Sequence, residues 1–326
     1  MAGSTVMTQL YPWLTPLWQQ WQSHLEADRF PNAALLIVKA GFGEEQLIRQ
    51  FSRAVMCSNF AAEPCGFCHS CQLMASNNHP DFHWIKPEKE GKAITVDQIR
   101  HCNRLAQESS QLSGYRLIVI EPADSMNESA ANALLKTLET PSASCLFLLV
   151  SRSASQLLPT ITSRCQQWHI TPPEAEELVQ WLTSQTQHQV PSYAAHINGN
   201  SPLNTLKFVE GGEQKRYESL ERQMIDVICQ RGDAVKLAKE LSTDIEKSLL
   251  WVWYLLTDTQ KAHFGLQLPS AVPGALALVE HIGYDLLYRQ TDALQKLIEQ
   301  LVQHTGLNRE LLILDWLFKF NGETCL

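Results

Sequence analysis

Short, mostly apolar strand-like runs alternate with helical patterns through the first 171 residues, and no strand-like run follows them. That asymmetry restricts the folds open to this chain more than any other feature. "ALLIVKA" (Ala34 to Ala40) has the length and branching of a buried strand, and the turn "GFGEE" follows it. Leu47, Ile48, Phe51, Ala54 and Val55 then recur at helical spacing. "DFHWIKP" reads as a second strand, and "VDQIRHCNRLAQES" as a helix behind Thr95, a suitable N-cap. "YRLIVIEP" is near-continuous in apolar residues, as a central parallel strand should be. A helix is expected from about Met126 to Glu139, stopped by Pro141. "CLFLLVS" and "CQQWHI" complete the series. Strands alternating with helices predict an α/β domain, its parallel sheet covered on both faces.

Beyond "TPPEAEELVQWL" the pattern is all-α. Pro172 and Pro173 break the chain, and Glu174 to Thr183 begins a small helical unit ending near "NGNSPLNTL". A second break at "EGGEQ" (Glu210 to Gln214) precedes a helical remainder. Three domains are therefore expected, over 1–171, 172–210 and 211–326. "SLLWVWYLL" and "ELLILDWLFKF" in the last are apolar on more than one face, so they should be buried in their own domain or against another chain. Composition is that of a folded protein, 44% hydrophobic and 18% charged. The net charge of -8 provides no global basic field for nucleic acid. The opening "MAGSTVMTQLYPWL" lacks the basic and apolar regions of a signal peptide, and no apolar stretch reaches the ~18–20 residues of a membrane span. A cytoplasmic address with reduced thiols is expected.

The strand, glycine turn and helix over Ala34 to Cys57 occupy the place of a P-loop, which needs a lysine for the phosphates and a Ser/Thr hydroxyl for Mg²⁺. Gly41 and Gly43 are present, but Glu44 and Glu45 follow, and their carboxylates would repel phosphate. Val38 stands at the pattern's first glycine, and Lys39 lies on the wrong side of the turn to substitute. These residues alone allow an ordinary strand-to-helix turn as well as a degenerate P-loop; ATP hydrolysis is disfavoured in both. "YRLIVIEPAD" agrees: Glu121 could orient Mg²⁺, but Pro122 offers no acid to activate water.

Four of the nine cysteines fall within "CSNFAAEPCGFCHSC". Cys65, Cys68 and Cys71 form a C-x₂-C-x₂-C run, with Cys57 at the end of the preceding helix and Pro64 and Gly66 supplying turns. Four thiolates suit tetrahedral Zn²⁺, closed and structural, with no position left for a reactive water. His69 then reads as a bystander. Disulfides fit a reducing compartment poorly, and a redox C-x-x-C pair needs a thioredoxin-like context missing here. Cys102, Cys145, Cys165, Cys229 and Cys325 are scattered and read as packing residues. Lys86, Lys89 and Lys92 alternate with Glu88 and Glu90, a solvated stretch and not a phosphate-tracking patch.

"NALLKTLETP" (Asn132 to Pro141) is locally an amphipathic helix with Leu134, Leu135 and Leu138 on one face. As a string it looks like the helix signature of bacterial clamp-loader subunits. "TSRCQ" matches the family's Ser-Arg-Cys motif, and "YPWL" (Tyr11 to Leu14) and "HPDF" (His79 to Phe82) fit as well. With the cysteine cluster and the failed P-loop, these motifs cover residues 11–171 in order. The chain resembles the delta-prime family of bacterial DNA polymerase III clamp-loader subunits, an AAA+ family. Beyond residue 171 only "TGLNRELLILDWL" (Thr305 to Leu317) adds to the likeness.

The resemblance implies a two-part AAA+ module, α/β with zinc and then a helical lid, followed by a helical collar. It implies a hetero-pentameric ring with gamma/tau-type ATPase subunits and delta. That ring loads the sliding clamp onto primed DNA during replication, within the nucleotidyltransferase complex of the polymerase holoenzyme. The family member of this type is a stator without catalytic activity of its own. Carried over, Arg164 is an arginine finger acting in trans on a neighbour's ATP site; taken alone it would be an ordinary surface arginine. Leu203 falls where active relatives carry a phosphate-sensing arginine, and Ser151 holds a sensor position with little to sense. Two rivals are a self-sufficient AAA+ ATPase and a zinc-dependent DNA-binding protein. The missing elements disfavour the first, the acidic balance the second.

Overall fold

The computed structural model describes residues 10–320, apart from 60, 61, 90, 113, 141, 143, 267, 268 and 305. Pro141, Glu90, Thr305 and Cys325, each read above, lie outside the described residues. Contacts divide the chain into two compact units, Met1–Pro172 and Pro173–Leu326.

The first unit holds strands β1 (Ala33–Ile37), β2 (Phe82–Ile85), β3 (Arg116–Ile120), β4 (Cys145–Ser151) and β5 (Gln166–His169). Its helices are α1 (Thr15–Glu26), α2 (Glu44–Met56), α3 (His69–Ala75), α4 (Val96–Gln107), α5 (Glu128–Glu139) and α6 (Pro159–Thr162). All pairings are parallel, in the order β2-β3-β4-β1-β5. Each of the five expected strands is present. Position in the sheet explains their composition: β3 and β4 are buried at every residue, whereas the edge strand β5 buries only Trp168.

Alternation along the strands separates two packing faces. Leu35, Ile118, Ile120, Phe147 and Leu149 face a core shared with Ile99 of α4 and Leu134 and Leu138 of α5. An aromatic group forms beside β5 from α1, α2 and the connection between α1 and β1: Trp21 meets Phe51 at 4.9 Å and Trp168 at 5.7 Å, and Phe30 stacks on Trp168 at 5.3 Å. Thr95 caps α4 as expected, with Gln98 returning the bond in a capping box. Asn127 caps α5 through the amide of Ala130 at 2.8 Å.

The second unit is helical among the described residues: α7 (Ala175–Gln185), α8 (Ala194–Ile197), α9 (Pro202–Glu210), α10 (Glu213–Ile228), α11 (Ala234–Leu241), α12 (Ile245–His263), α13 (Gly274–Val279), α14 (Tyr284–Gln303) and α15 (Arg309–Phe318). A further boundary is expected from the sequence at 210/211. The turn there, with Gly212 at φ +69°, instead lies inside this compact unit. Phe208, before the turn, meets Tyr217 edge-on at 6.4 Å and Trp251 at 5.7 Å, beyond it. Two glycines end one helix and start another, but the apolar faces on either side share a core. Trp251, Val252, Leu255 and Leu256 carry the greasy stretch of α12 into that core. No described helix is long and apolar enough to cross a membrane.

Candidate functional site

The carboxyl ends of β1, β3 and β4 open onto a cleft of about 740 Å³. This is where an open parallel sheet places a ligand. Val38, Glu44, Glu45, Glu121, Pro122 and Ser151 line it, together with Lys86, Lys92, Asp124 and Arg152. Gly41 at φ +85° and Gly43 at φ +75° give the turn a backbone that a side chain would strain, and Gly43 caps α2. The loop therefore keeps glycine geometry while presenting carboxylates at the helix start. Burial raises the pKa of Glu44, and the nearby charge of Glu121 adds to the effect. Glu45 is paired with Arg49 one turn along the helix at 2.6 Å.

Glu121 is already engaged. Its Oε2 accepts from Trp84 Nε1 at 3.0 Å and pairs with Lys86 Nζ at 3.5 Å, while Lys86 lies 4.2 Å from the Trp84 ring centroid. Ser151 donates to the Ser153 carbonyl at 3.0 Å. Leu203 sits half-buried on α9, in the second unit. Trp84, Lys86 and Arg152 also belong to this region, and sequence reasoning did not mark them as partners. Their signal is weak because Trp84 and Lys86 come from the end of β2, Arg152 from the end of β4 and Glu121 from the end of β3, far apart in sequence.

Arg164 lies between α6 and β5 with its side chain 32% exposed. Its Nε donates to Glu139 Oε1 at 3.0 Å, Nη2 donates to the same oxygen, and Nη1 donates to the Thr160 carbonyl at 2.7 Å. The two strings that carried the resemblance, "NALLKTLETP" and "TSRCQ", thus meet through a charged pair. The adjacent Cys165 is buried, which pushes its thiol up to about 11.

The four cysteines of the cluster also converge. The Sγ atoms of Cys57, Cys65, Cys68 and Cys71 lie within 4.8 Å of one another, and His69 contributes no ligand to the group. Cys57 caps the end of α2 and Cys68 caps α3, while Gly66 turns at φ +78°. Cys65 and Cys71 have sulfurs 3.9 Å apart. Tetrahedral bonds of ~2.3 Å would place sulfurs about 3.8 Å apart, whereas a disulfide requires ~2.05 Å. None of the four is joined in a disulfide. Backbone amides donate into the cluster: Cys65 N to Cys57 Sγ at 3.4 Å, Cys68 N to Cys65 Sγ at 3.3 Å, and Cys71 N to Cys68 Sγ at 3.4 Å. Such bonds stabilise thiolate charge and orient ligands. Burial opposes ionisation at Cys68, but the amides of Cys71 and Ser58 outweigh it and bring the thiol down to about 6. At Cys71 burial prevails and pushes the thiol up to about 12. The donor set and its spacing fit Zn²⁺.

Asp81 of the "HPDF" string has a structural task that the sequence does not reveal. It is 1% exposed and accepts from the amides of Gln111 and Leu112, at 2.9 and 3.0 Å, and from Arg116 Nη2 at 2.9 Å. Arg116 Nη2 also donates to the Ser109 carbonyl at 3.0 Å, so the pair ties the loop before β2 to the connection between α4 and β3.

Comparison with known proteins adds a separate line of observation. The family described as "DNA polymerase III, delta subunit" matches residues 13–174, and "DNA polymerase III, delta subunit, C terminal" matches residues 212–322. A DNA polymerase III subunit delta' of Haemophilus influenzae is 32% identical over 97% of this chain and 98% of its own. The corresponding Escherichia coli subunit is 34% identical over 95% of this chain and 94% of its own. The Pseudomonas aeruginosa subunit is 34% identical over 76% of each.

Proposed function

The chain belongs to the delta-prime family of DNA polymerase III clamp-loader subunits, and from that premise we propose that it serves as the non-hydrolysing stator of its ring. In this reading it braces the neighbouring gamma/tau-type ATPase and delta subunits in a hetero-pentamer. The assembly opens the sliding clamp and loads it onto primed DNA, in the cytoplasm. The stretch 172–210 acts as the lid and 211–326 as the collar through which subunits assemble.

One observation carries the proposal. The cleft at the strand ends has Glu44 and Glu45 at the P-loop positions, an already engaged Glu121, and Pro122 where an acid would have to activate water, while its cations Lys86, Lys92 and Arg152 stand outside the P-loop. Polyphosphate entering it would meet carboxylate at the positions where lysine and hydroxyl serve an active P-loop. The phosphate-directed group lies elsewhere, at Arg164. A guanidinium stays charged at any relevant pH and matches phosphate oxygens in a planar fork. Set against a neighbour's ATP, it would stabilise charge that develops as the terminal phosphoryl group departs. Bound between α2 and α3, Zn²⁺ would supply a cross-link and no reaction, because all four of its ligand positions are filled by protein.

Replacing Arg164 by Ala and assembling the complete loader tests the reading. The complex should form normally, and its ATP turnover should fall by the share belonging to the site Arg164 serves. At that site the expected loss is about 10³-fold or more, the usual worth of an arginine finger. An unchanged rate would remove the assignment.

A further inference from the structure

Arg164 does not project freely from the surface, and the residue that holds it suggests how it is used. Glu139 ends α5 and stands 25 residues earlier in the chain. Its Oε1 takes both the Nε and the Nη2 hydrogen along one edge of the guanidinium, while Thr160 and, at 3.4 Å, Ser163 Oγ take Nη1 hydrogens. The fork has five N–H donors. The remaining Nη2 hydrogen, on the edge between Nη1 and Nη2, is claimed by none of these partners.

We propose that Glu139 is a positioning residue for Arg164, fixing the Nε–Nη2 edge so that the one remaining Nη2 hydrogen is kept for a phosphate of the neighbouring subunit. This rests on the trans-finger reading given above. Two physical considerations separate it from a plain surface ion pair. The first is location. A carboxylate on the last residue of a helix lies at the negative end of the helix dipole, which disfavours it. The helix gains nothing from Glu139, so its benefit has to come from Arg164. The second is strength. With side chains 32% and 49% exposed, the pair is too weak to hold the arginine back from a polyphosphate. It is strong enough to narrow the rotamers of a long side chain before the subunits meet. Glu139 therefore guides the finger and does not lock it.

Four variant chains, each assembled into the complete loader, provide the test: Glu139→Ala, Glu139→Gln, Arg164→Ala, and the Glu139→Ala/Arg164→Ala double. ATP turnover is measured against ATP concentration. The Arg164-dependent part is the difference between the parent and Arg164→Ala. Glu139→Ala should lower kcat of that part by about two- to tenfold, the rate equivalent of ordering one long side chain, with KM unchanged. Glu139→Gln keeps an accepting oxygen and should lose less. The double variant should match Arg164→Ala alone, and the melting temperature should not fall in any of them. Faster or unchanged turnover in Glu139→Ala would overturn the proposal, as would a further loss in the Arg164→Ala background or a change confined to KM. If Arg164→Ala itself costs no turnover, the finger reading falls instead, which is a distinguishable result.

Discussion

Replacing Asp81 by Ala should loosen the α/β unit and leave the helical unit intact. Both Asp81 and the Arg116 side chain are almost wholly buried, at 1% and 2% exposure. The substitution removes the acceptor from the amides of Gln111 and Leu112 and leaves the buried guanidinium with only the largely exposed Glu108 carboxylate, 3.6 Å from Nη1, as counter-charge. Breaking a buried pair from one side costs about 3–5 kcal/mol. The Ser109 carbonyl remains as a partner for Nη2, which favours the lower figure. At ~1.4 kcal/mol per decade, 3 kcal/mol is about a hundredfold in an opening equilibrium. Hydrogen exchange read by mass spectrometry can follow the two units separately. Peptides covering β2 and β3 should exchange about a hundredfold faster in the variant, and those covering α12 and α14 at the parental rate. Acid provides a second arm. Burial raises the Asp81 pKa, but the amide of Gln111, Arg116 and the amide of Leu112 outweigh it and hold it below the usual carboxylate range. A depressed folded-state pKa contributes stability above the unfolded value of ~3.9 that disappears as pH falls through the folded one. Protection of β2 and β3 in the parent should therefore fall below about pH 4, and the variant should lose this contribution to the pH dependence. Exchange within a few-fold of the parent, or acceleration shared equally by both units, would refute the reasoning.

The purified chain should carry about one equivalent of zinc per molecule by elemental analysis. Replacing Cys68 or Cys71 by Ser should abolish that content, and chelation should lower the melting transition of the α/β unit. Restoring P-loop chemistry with Glu44→Lys and Glu45→Thr reverses charge at the cleft, a swing of about 4 kcal/mol per charge at 4 Å and an effective dielectric of 20, before solvation offsets it. Titration calorimetry should then detect Mg-ATP binding to the double variant. Its turnover should stay at background, because Pro122 still stands where an activating acid belongs.

How far the sequence reveals this molecule depends on the separation of the interacting residues. Strands β1, β3 and β4 were legible because burial on both faces demands unbroken apolar runs, and Thr95 was legible because a cap and its helix are contiguous. The cysteine site was legible for the same reason, with three of its ligands spaced by two residues. Asp81 with Arg116 and Glu139 with Arg164 were not, since no local pattern announces a charge pair formed across 35 or 25 residues. The glycine turn at 211–212 was visible as a break, but only the shared packing of Phe208, Tyr217 and Trp251 reveals that one core continues through it. Arg164 is an intermediate case. Its short motif singled it out, while the carboxylate that holds it could be found only in three dimensions.

The carboxylates of Glu44 and Glu121 in the strand-end cleft have a consequence for timing. A protein that binds a ligand only when folded in one shape has that shape stabilised in proportion to ligand concentration. If the subunit is the stator proposed above and binds no nucleotide there, this link is missing, and its conformation would not follow nucleotide concentration. In the proposed ring, the timing of opening and closing would then be set by its neighbours, with this subunit as the unchanging face between them.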